Sequence, residues 1–265
     1  MRIHKHSPIT PHYRIEFENV SLDYYLYERD LKSSLVKLVK RKPLFEKSQI
    51  IRNVSFKVAP SEVVCLIGTN GVGKSSLLYA ITGKLPISKG KIVVDGKINA
   101  VLGMFGRISP FETGFAALKT WAGFLGSNKD LINKNLDLVS KLSGIPVEII
   151  VNRPFHSYST GMISRLQATI GLLLDTDIQL YDETLFTGDK QFNGFFMNRV
   201  GKSRDNGACY IIVSHNPLVW ELVAKHNGRF IVLGDNTLLY DGFNIDTAQR
   251  EYDGSEKYRV EIPTN

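Results

Sequence analysis

Residues 63–67 form an apolar run that leads into a glycine-rich turn ending in Gly73, Lys74 and Ser75, and a helical pattern follows at once. A strand, a loop and a helix with the spacing GxxxxGK[ST] are typical of phosphate binding. Gly71 and Gly73 allow the backbone to turn several N–H groups inward, and the helix N-terminus adds further donors. Lys74 can then reach the β- and γ-phosphates of a nucleotide, and the Ser75 hydroxyl can coordinate Mg²⁺. The candidate phosphate-binding residues are Gly68, Thr69, Asn70, Gly71, Val72, Gly73, Lys74, Ser75 and Ser76.

Two carboxylates follow a second apolar run. Residues Ile178–Tyr181 predict a buried strand, and Asp182 and Glu183 stand at its C-terminal end, where open α/β sheets bind their ligands. Asp182 can hold Mg²⁺ through water, and Glu183 can orient a water molecule for attack on a γ-phosphate. Two acids in this position also fit a simple strand cap, so the pair alone leaves both interpretations open.

A histidine and a serine occupy two further element boundaries. The strand-like run 210–213 is followed by His215, which the pattern places in the same crevice, although a lone histidine there is more often structural. Ser159 and Gly161 precede a predicted helix, so a hydroxyl and free N–H groups can face an anion at that point as well.

Aromatic residues follow the first predicted strand, at 14–20, in which polar and apolar residues alternate. Tyr24, Tyr25 and Tyr27 fit either the edge of a strand or a platform on which an adenine ring stacks. Residues 30–42 then predict a short basic amphipathic helix. Such a helix either packs on its own domain or contacts anionic headgroups.

Strands that alternate with helices predict a parallel α/β core around these residues. Residues 50–58 predict a further strand, and residues 91–101 predict two strands joined as a hairpin at Asp95 and Gly96. Helical patterns at 116–125 and 131–142 predict a helical subdomain over about 103–165. The expected divisions are a tail at 1–13, a nucleotide-binding domain at 14–240 and a C-terminal extension at 241–265, which is too short for another domain.

Composition and charge are those of an ordinary globular protein. Of the 265 residues, 43% are hydrophobic and 22% are charged. The net charge of +7 suits an anionic partner, whether a nucleotide, a nucleic acid or an anionic membrane surface. Cys65 and Cys209 lie in apolar strand-like runs, which predicts buried free thiols.

The sequence also indicates whether the chain has a membrane-spanning segment or a signal peptide. No apolar run approaches the ~18–20 residues that span a bilayer. The N-terminus lacks the apolar core of a signal peptide. We therefore expect a chain that neither crosses a membrane nor is exported by that route.

Taken in order, the motifs resemble those of the nucleotide-binding subunit of ATP-binding cassette (ABC) transporters. The phosphate loop is followed by Tyr-Ser-Thr-Gly-Met at 158–162, Tyr-Asp-Glu at 181–183, Gly-Asp at 188–189 and Ser-His at 214–215. The resemblance covers about 14–240. Residues 158–166 and 182–192 are similar to the "YSSGM.aRL" and "DEv.avGD..F" segments of bacterial polysaccharide exporters, which move capsule, O-antigen or teichoic acid. The helix at 30–42 is similar to an extra helix of that subfamily.

The resemblance implies a P-loop NTPase (RecA-like) fold: a parallel sheet core, an antiparallel β subdomain and an α-helical subdomain. It also implies ATP and Mg²⁺ as ligands. Tyr24 would stack on the adenine, Lys74 would bind the β- and γ-phosphates and take part in catalysis, and Ser75 and Asp182 would hold Mg²⁺. Glu183 would be the catalytic base.

Further implied roles concern partners. His215 would contact the γ-phosphate, and Ser159 and Gly161 would contact ATP held by a second copy of the chain, with Asp189 at the same seam. The resemblance further implies an integral membrane permease as partner, a lipid-linked polysaccharide reached through it, and no nucleic acid. The location would be the cytoplasmic face of the bacterial cell membrane.

Departures from the family pattern concern the surface that would couple the chain to a permease, and two other functions are kept as alternatives. Residues 98–115 contain no glutamine to couple Mg²⁺ to a permease, and Met104, Phe105 and Gly106 occupy that place. The expected "TGREN" is replaced at 113–117. The alternatives are a cassette ATPase that acts on nucleic acid or ribosomes, and a cassette for another export substrate. We expect no C-terminal sugar-binding domain, because only 25 residues follow Tyr240, and the glycan itself is left open.

Overall fold

The computed structural model describes residues 13–27, 45–103, 108–128, 130–183 and 190–260. The basic helix predicted at 30–42, the segment at 104–106 and Asp189 lie outside the described residues.

The elements are numbered in chain order among the described residues. The strands are β1 (Ile15–Tyr27), β2 (Phe45–Val58), β3 (Val63–Gly68), β4 (Lys89–Val94), β5 (Ile98–Val101), β6 (Ile178–Tyr181), β7 (Cys209–Val213), β8 (Arg229–Gly234) and β9 (Thr237–Gly242). The helices are α1 (Lys74–Ile81), α2 (Gly114–Phe124), α3 (Asp130–Ser143), α4 (Val147–Asn152), α5 (Thr160–Leu172), α6 (Lys190–Arg204), α7 (Pro217–Lys225) and α8 (Ile245–Val260), with a 3-10 turn at Phe155–Ser157.

The described strands form two sheets. The larger has the order β5-β6-β7-β3-β8-β9, in which the first five strands are parallel and β9 is antiparallel to β8. The smaller is antiparallel, with the order β2-β1-β4. The predicted α/β class is therefore confirmed. Because β3 lies between β7 and β8, the loop after it opens at the middle of the carboxyl edge of the sheet.

The hairpin predicted at Asp95 and Gly96 is wrong. Strands β4 and β5 flank these residues, but β4 pairs with β1 in the small sheet and β5 pairs with β6 in the large one. The turn residues therefore mark a crossing between sheets. At Gly96 the φ angle is 128°, and a Cβ atom would lie 2.5 Å from the Cβ of Asp177. The composition of the turn cannot distinguish a hairpin from a crossing between sheets, because the strands that pair with β4 and β5 lie far away in the sequence.

Strand β3 is buried along its whole length, because both faces of the large sheet are covered. Val64 and Leu66 belong to the apolar core between the two sheets, which also contains Leu77 and Leu78 of α1. Val63, Cys65 and Ile67 belong to the core on the opposite face, beneath α5 to α8. The two-residue period of a strand thus assigns alternate side chains to two separate cores.

The helices α2, α3 and α4 and one side of α5, with Leu166 and Ile170, share a third apolar cluster, which surrounds the fully buried Trp121. Helix α5 continues past the boundary expected at residue 165. Ala168 and Leu172 of the same helix lie in the core of the large sheet, so α5 contributes to both clusters and connects the two units. The chain after Tyr240 also joins that core, since Ala248 of α8 is fully buried in it.

We expect neither cysteine of the folded protein to react with a thiol reagent at about pH 8. Both thiols are free and buried, as predicted. Burial raises the pKa of Cys65 far above its ordinary value and raises the pKa of Cys209 to about 12, so neither forms an appreciable thiolate at that pH. Mass spectrometry after alkylation should find both sites modified in denaturant and neither in the native protein. Rapid labelling of native Cys65 would contradict the packing described for β3.

Candidate functional site

The phosphate loop occupies the turn between β3 and α1. Gly73 precedes α1 with φ 108° and ψ 10°, a left-handed conformation that residues with a Cβ atom rarely adopt. A Cβ at Gly73 would lie 2.8 Å from both the Cγ2 of Ile50 and the Cδ1 of Ile51. Side chains of β2 therefore close off the space behind the loop, and only a glycine fits at this turn.

The Lys74 ammonium lies inside the curve of the loop, with a side chain only 6% exposed. Its Nζ donates hydrogen bonds to the carbonyl oxygens of Gly68 at 2.6 Å and Thr69 at 3.1 Å. The same nitrogen lies 3.6 Å from the Oε2 atom of Glu183, which follows β6 by two residues. A buried ammonium without partners would cost several kcal/mol, so these contacts hold both the loop and Glu183 around Lys74.

Ser75 and Asp182 face each other across the site. The Ser75 Oγ lies 3.4 Å from both carboxylate oxygens of Asp182, and Asp182 Oδ1 accepts a hydrogen bond from the Glu183 N–H at 2.8 Å. A hydroxyl and a carboxylate are hard oxygen ligands, and Mg²⁺ is usually held by one or two such protein groups together with water and phosphate oxygens. Within the described residues no cluster of three or more His, Cys, Asp or Glu could hold a metal. The donor set fits Mg²⁺ bound jointly with a nucleotide.

Glu183 and His215 meet because β6 and β7 are parallel neighbours, with Tyr181 in register with Ile212. Both residues follow the carboxyl ends of these strands. His215 Nδ1 contacts Glu183 Oε1, while the rest of the imidazole is open to solvent, its side chain being 55% exposed. The Glu183 carboxylate is therefore held between Lys74 on one side and His215 on the other.

Tyr24 lies beside the loop, as the adenine-platform interpretation requires. It stands within β1, and its hydroxyl is 3.5 Å from the Ser76 Oγ in α1. The residue is 44% exposed, so part of it is accessible to a ligand. The strand continues through the tyrosines to Tyr27, beyond the end at residue 20 that the alternation predicts.

The structure does not bring Ser159 and Gly161 into this group. Ser159 is the N-cap of α5, and its Oγ accepts a hydrogen bond from the Met162 N–H at 3.2 Å. Ser159 is exposed and Gly161 is partly exposed, at the edge of the helical unit with its separate core. Roles for these two residues require a ligand that approaches from outside the chain.

Sequence reasoning missed Trp220, whose indole N–H donates to the Ser214 carbonyl at 2.9 Å, directly before His215. The available signal was the start of α7, where Asn216 is the N-cap and Pro217 the first helical residue. That signal predicts the helix but not the direction of the Trp220 side chain.

We expect Gly73→Ala to lower nucleotide affinity at least about tenfold, because the added Cβ meets Ile50 and Ile51 and the φ angle costs about 1–3 kcal/mol. Gly194→Ala in α6 is the matched control. A Cβ there has no described heavy atom within 4 Å, so helix stability should rise slightly. Titration with a fluorescent ATP analogue and thermal unfolding measure both effects. Unchanged affinity in Gly73→Ala would show that the loop tolerates a side chain.

Two proteins named for polysaccharide export align with most of this chain. The teichoic acids export ATP-binding protein TagH of Listeria innocua is 28% identical over 258 residues, which cover 94% of this chain and 76% of TagH. The O-antigen export system ATP-binding protein RfbB of Klebsiella pneumoniae is 29% identical over 208 residues, which cover 76% of this chain and 83% of RfbB.

Solved structures support the fold. The ATP-binding cassette MJ0796, solved as a dimer in a post-hydrolysis state bound to ADP and Pi, matches with a TM-score of 0.68 at 18% identity. The match covers 87% of this chain and 99% of that one, so the predicted cassette fold is confirmed. None of the helices in the described ranges has the length and apolar character needed to cross a bilayer.

The family model described as ABC transporter matches residues 51–185, a range that contains the phosphate loop, Asp182 and Glu183. The motif order predicted the same family. The chain therefore belongs to the ABC transporter family.

Proposed function

We propose that this chain is the ATP-hydrolysing subunit of an ABC transporter that exports a bacterial cell-surface polysaccharide. One observation carries the proposal: the folded chain gathers a buried ammonium, a hydroxyl, two carboxylates and an imidazole at one edge of a parallel sheet. The residues of this catalytic cluster are Lys74, Ser75, Asp182, Glu183 and His215. Phosphoryl transfer to water needs such positioned charges and no covalent intermediate.

The residues of the cluster divide the work of hydrolysis. The loop N–H groups and Lys74 bind the β- and γ-phosphates. The Glu183 carboxylate orients the attacking water and takes its proton, as the water oxygen bonds to the γ-phosphorus and the bond to the leaving ADP oxygen breaks. His215, held at its Nδ1 by Glu183, presents the other ring nitrogen to the γ-phosphate. Tyr24 stacks on the adenine and orients the nucleotide.

Ser75 and Asp182 would hold Mg²⁺ in this arrangement. Bound there, the ion would neutralise part of the phosphate charge. The 3.4 Å separation of the Ser75 hydroxyl from the Asp182 carboxylate supports this assignment, because both oxygens face the same space.

A second copy of the chain would complete the site. Ser159 and Gly161 are open to solvent at the N-terminus of α5, where a hydroxyl and backbone N–H groups favour an anion. A two-fold pair would bring each α5 N-terminus to the phosphates bound by its partner, with both sites at the seam. The dimeric structure of the MJ0796 cassette supports this proposal.

The export function adds a membrane permease and a lipid-linked polysaccharide as partners, at the cytoplasmic face of the cell membrane, with no nucleic acid involved. TagH is named for teichoic acids export and RfbB for O-antigen export, and both align over most of this chain. The helical unit at about 103–165, within an ATPase domain at 14–240, would transmit closure of the dimer to the permease.

We expect Glu183→Gln to bind ATP normally and to lower the hydrolysis rate about 10²–10⁴-fold, because the amide cannot accept the proton of the attacking water. Glu148→Gln, at an exposed position of α4, is the matched control and should retain the wild-type rate. Phosphate release and nucleotide titration separate the two steps. Turnover at the wild-type rate in Glu183→Gln would remove Glu183 from the role of base.

We expect deletion of the gene to remove one polysaccharide from the cell surface while its precursor accumulates inside. Complementation with the wild-type chain should restore export, and Lys74→Ala should not, because Lys74 binds the phosphates. Surface sugar analysis and purification of the chain with its membrane permease measure the outcome. Unchanged surface glycans together with recovery of the chain on ribosomes or RNA would favour the nucleic-acid alternative.

A further inference from the structure

Ser214 anchors the backbone directly before His215. Its N–H donates to the Leu66 carbonyl of β3 at 3.3 Å, and its hydroxyl accepts from the Asn216 N–H at 3.1 Å. Its carbonyl accepts from the indole of Trp220 at 2.9 Å. The contact with Leu66 belongs to the edge of the large sheet, and the contact with Asn216 joins neighbouring residues. The third contact depends on the Trp220 side chain, which α7 supplies.

Trp220 is held in place by the C-terminal helix. The residue is 1% exposed, and its ring meets that of Tyr252 in α8 edge to face, with centroids 5.3 Å apart. The Tyr252 hydroxyl donates to Glu256 at 2.6 Å on the same helix, which fixes the orientation of the phenol. A continuous set of contacts therefore leads from α8 through Trp220 to the Ser214 carbonyl.

Tyr252 of the same helix also responds to the charge of the Glu183 carboxylate. Burial raises the pKa of Tyr252 above its ordinary value, and its hydrogen bond to Glu256 and the negative charges of Glu256 and Glu183 raise it further.

We infer that Trp220 is a positioning residue for His215, that it aims the imidazole at Glu183 and the γ-phosphate, and that Tyr252 keeps the indole in place. The His215 side chain is largely exposed, so the surrounding protein does little to fix its direction. Whether the imidazole meets Glu183 therefore depends strongly on the backbone that carries the ring. Removal of the indole N–H frees the Ser214 carbonyl and allows that backbone to shift. The catalytic consequence rests on the proposed ATPase function.

If the role of Trp220 were purely structural, a loss of activity in Trp220→Phe would come from lost packing alone. Trp121 provides the matched control for that loss. Trp121 is also fully buried, and it meets Phe155 edge to face with centroids 5.6 Å apart. Its indole nitrogen has no hydrogen-bond partner among the described residues. Trp121→Phe therefore removes aromatic bulk alone, whereas Trp220→Phe removes similar bulk together with the hydrogen bond to Ser214.

The kinetic test places both substitutions in the wild-type chain and in His215→Ala, with the permease present. We expect Trp220→Phe to lower kcat about tenfold, equivalent to about 1.4 kcal/mol, with KM for ATP within about twofold of wild type. Trp121→Phe should leave kcat within about twofold. In His215→Ala, Trp220→Phe should cause no additional loss. An equal loss in both backgrounds, or an equal loss from Trp121→Phe, would overturn the inference.

A spectroscopic test is independent of hydrolysis. The imidazole nitrogen resonances of His215, assigned with His215→Gln, should shift in Trp220→Phe and remain in place in Trp121→Phe. Tyr252→Phe retains the ring and should leave them unchanged, whereas Tyr252→Leu should reproduce the Trp220→Phe shift. Unmoved resonances in Trp220→Phe would overturn the positioning role. A wild-type chain that hydrolyses no ATP with its permease would instead contradict the proposed function, and the resonances would still decide this inference.

Discussion

The buried ammonium of Lys74 is the interaction on which the site depends. Its partners include the carbonyl oxygens of Gly68 and Thr69, where β3 ends, and the Glu183 carboxylate after β6. An ammonium removed from water must be paired, and here the pairing joins segments more than a hundred residues apart in sequence. That requirement is met because β6 and β3 flank β7 in the same parallel sheet. The strand order therefore brings the ammonium, the hydroxyl and the carboxylates together at one edge of the sheet.

The carboxyl edge of the large sheet is supported by the layers that cover its two faces. Both faces of β3 are covered, one by the small sheet with α1 and the other by α5 to α8. The loop is therefore held from behind by β2 side chains, and the end of β7 is held from beneath by Trp220. By contrast, Ser159 lies on a unit with its own core, which is suitable for a group that acts on a neighbouring copy.

Much of the site and the class of fold could be predicted from local patterns. The phosphate loop, the acidic strand end and the histidine each follow an apolar strand, and parallel strands end at one edge. The buried thiols followed from the same apolar runs. Features set by distant partners were not predictable in this way. The turn at Asp95 and Gly96 looks like a hairpin, yet its two strands pair with β1 and β6. The long β1 was also missed, because its extension through the tyrosines depends on pairing with β2.

The sequence by itself determined which groups can meet a nucleotide and on which kind of element each one lies, because glycine conformation, helix capping and side-chain alternation act over a few residues. Only the tertiary structure decided which groups touch. The contact of Glu183 with His215, the pairing of Ser75 with Asp182 and the support of Ser214 by Trp220 all arise from packing between segments. Trp220 is buried, so close packing leaves its side chain one direction, whereas the other two contacts follow from the strand order that brings distant segments to one edge of the sheet.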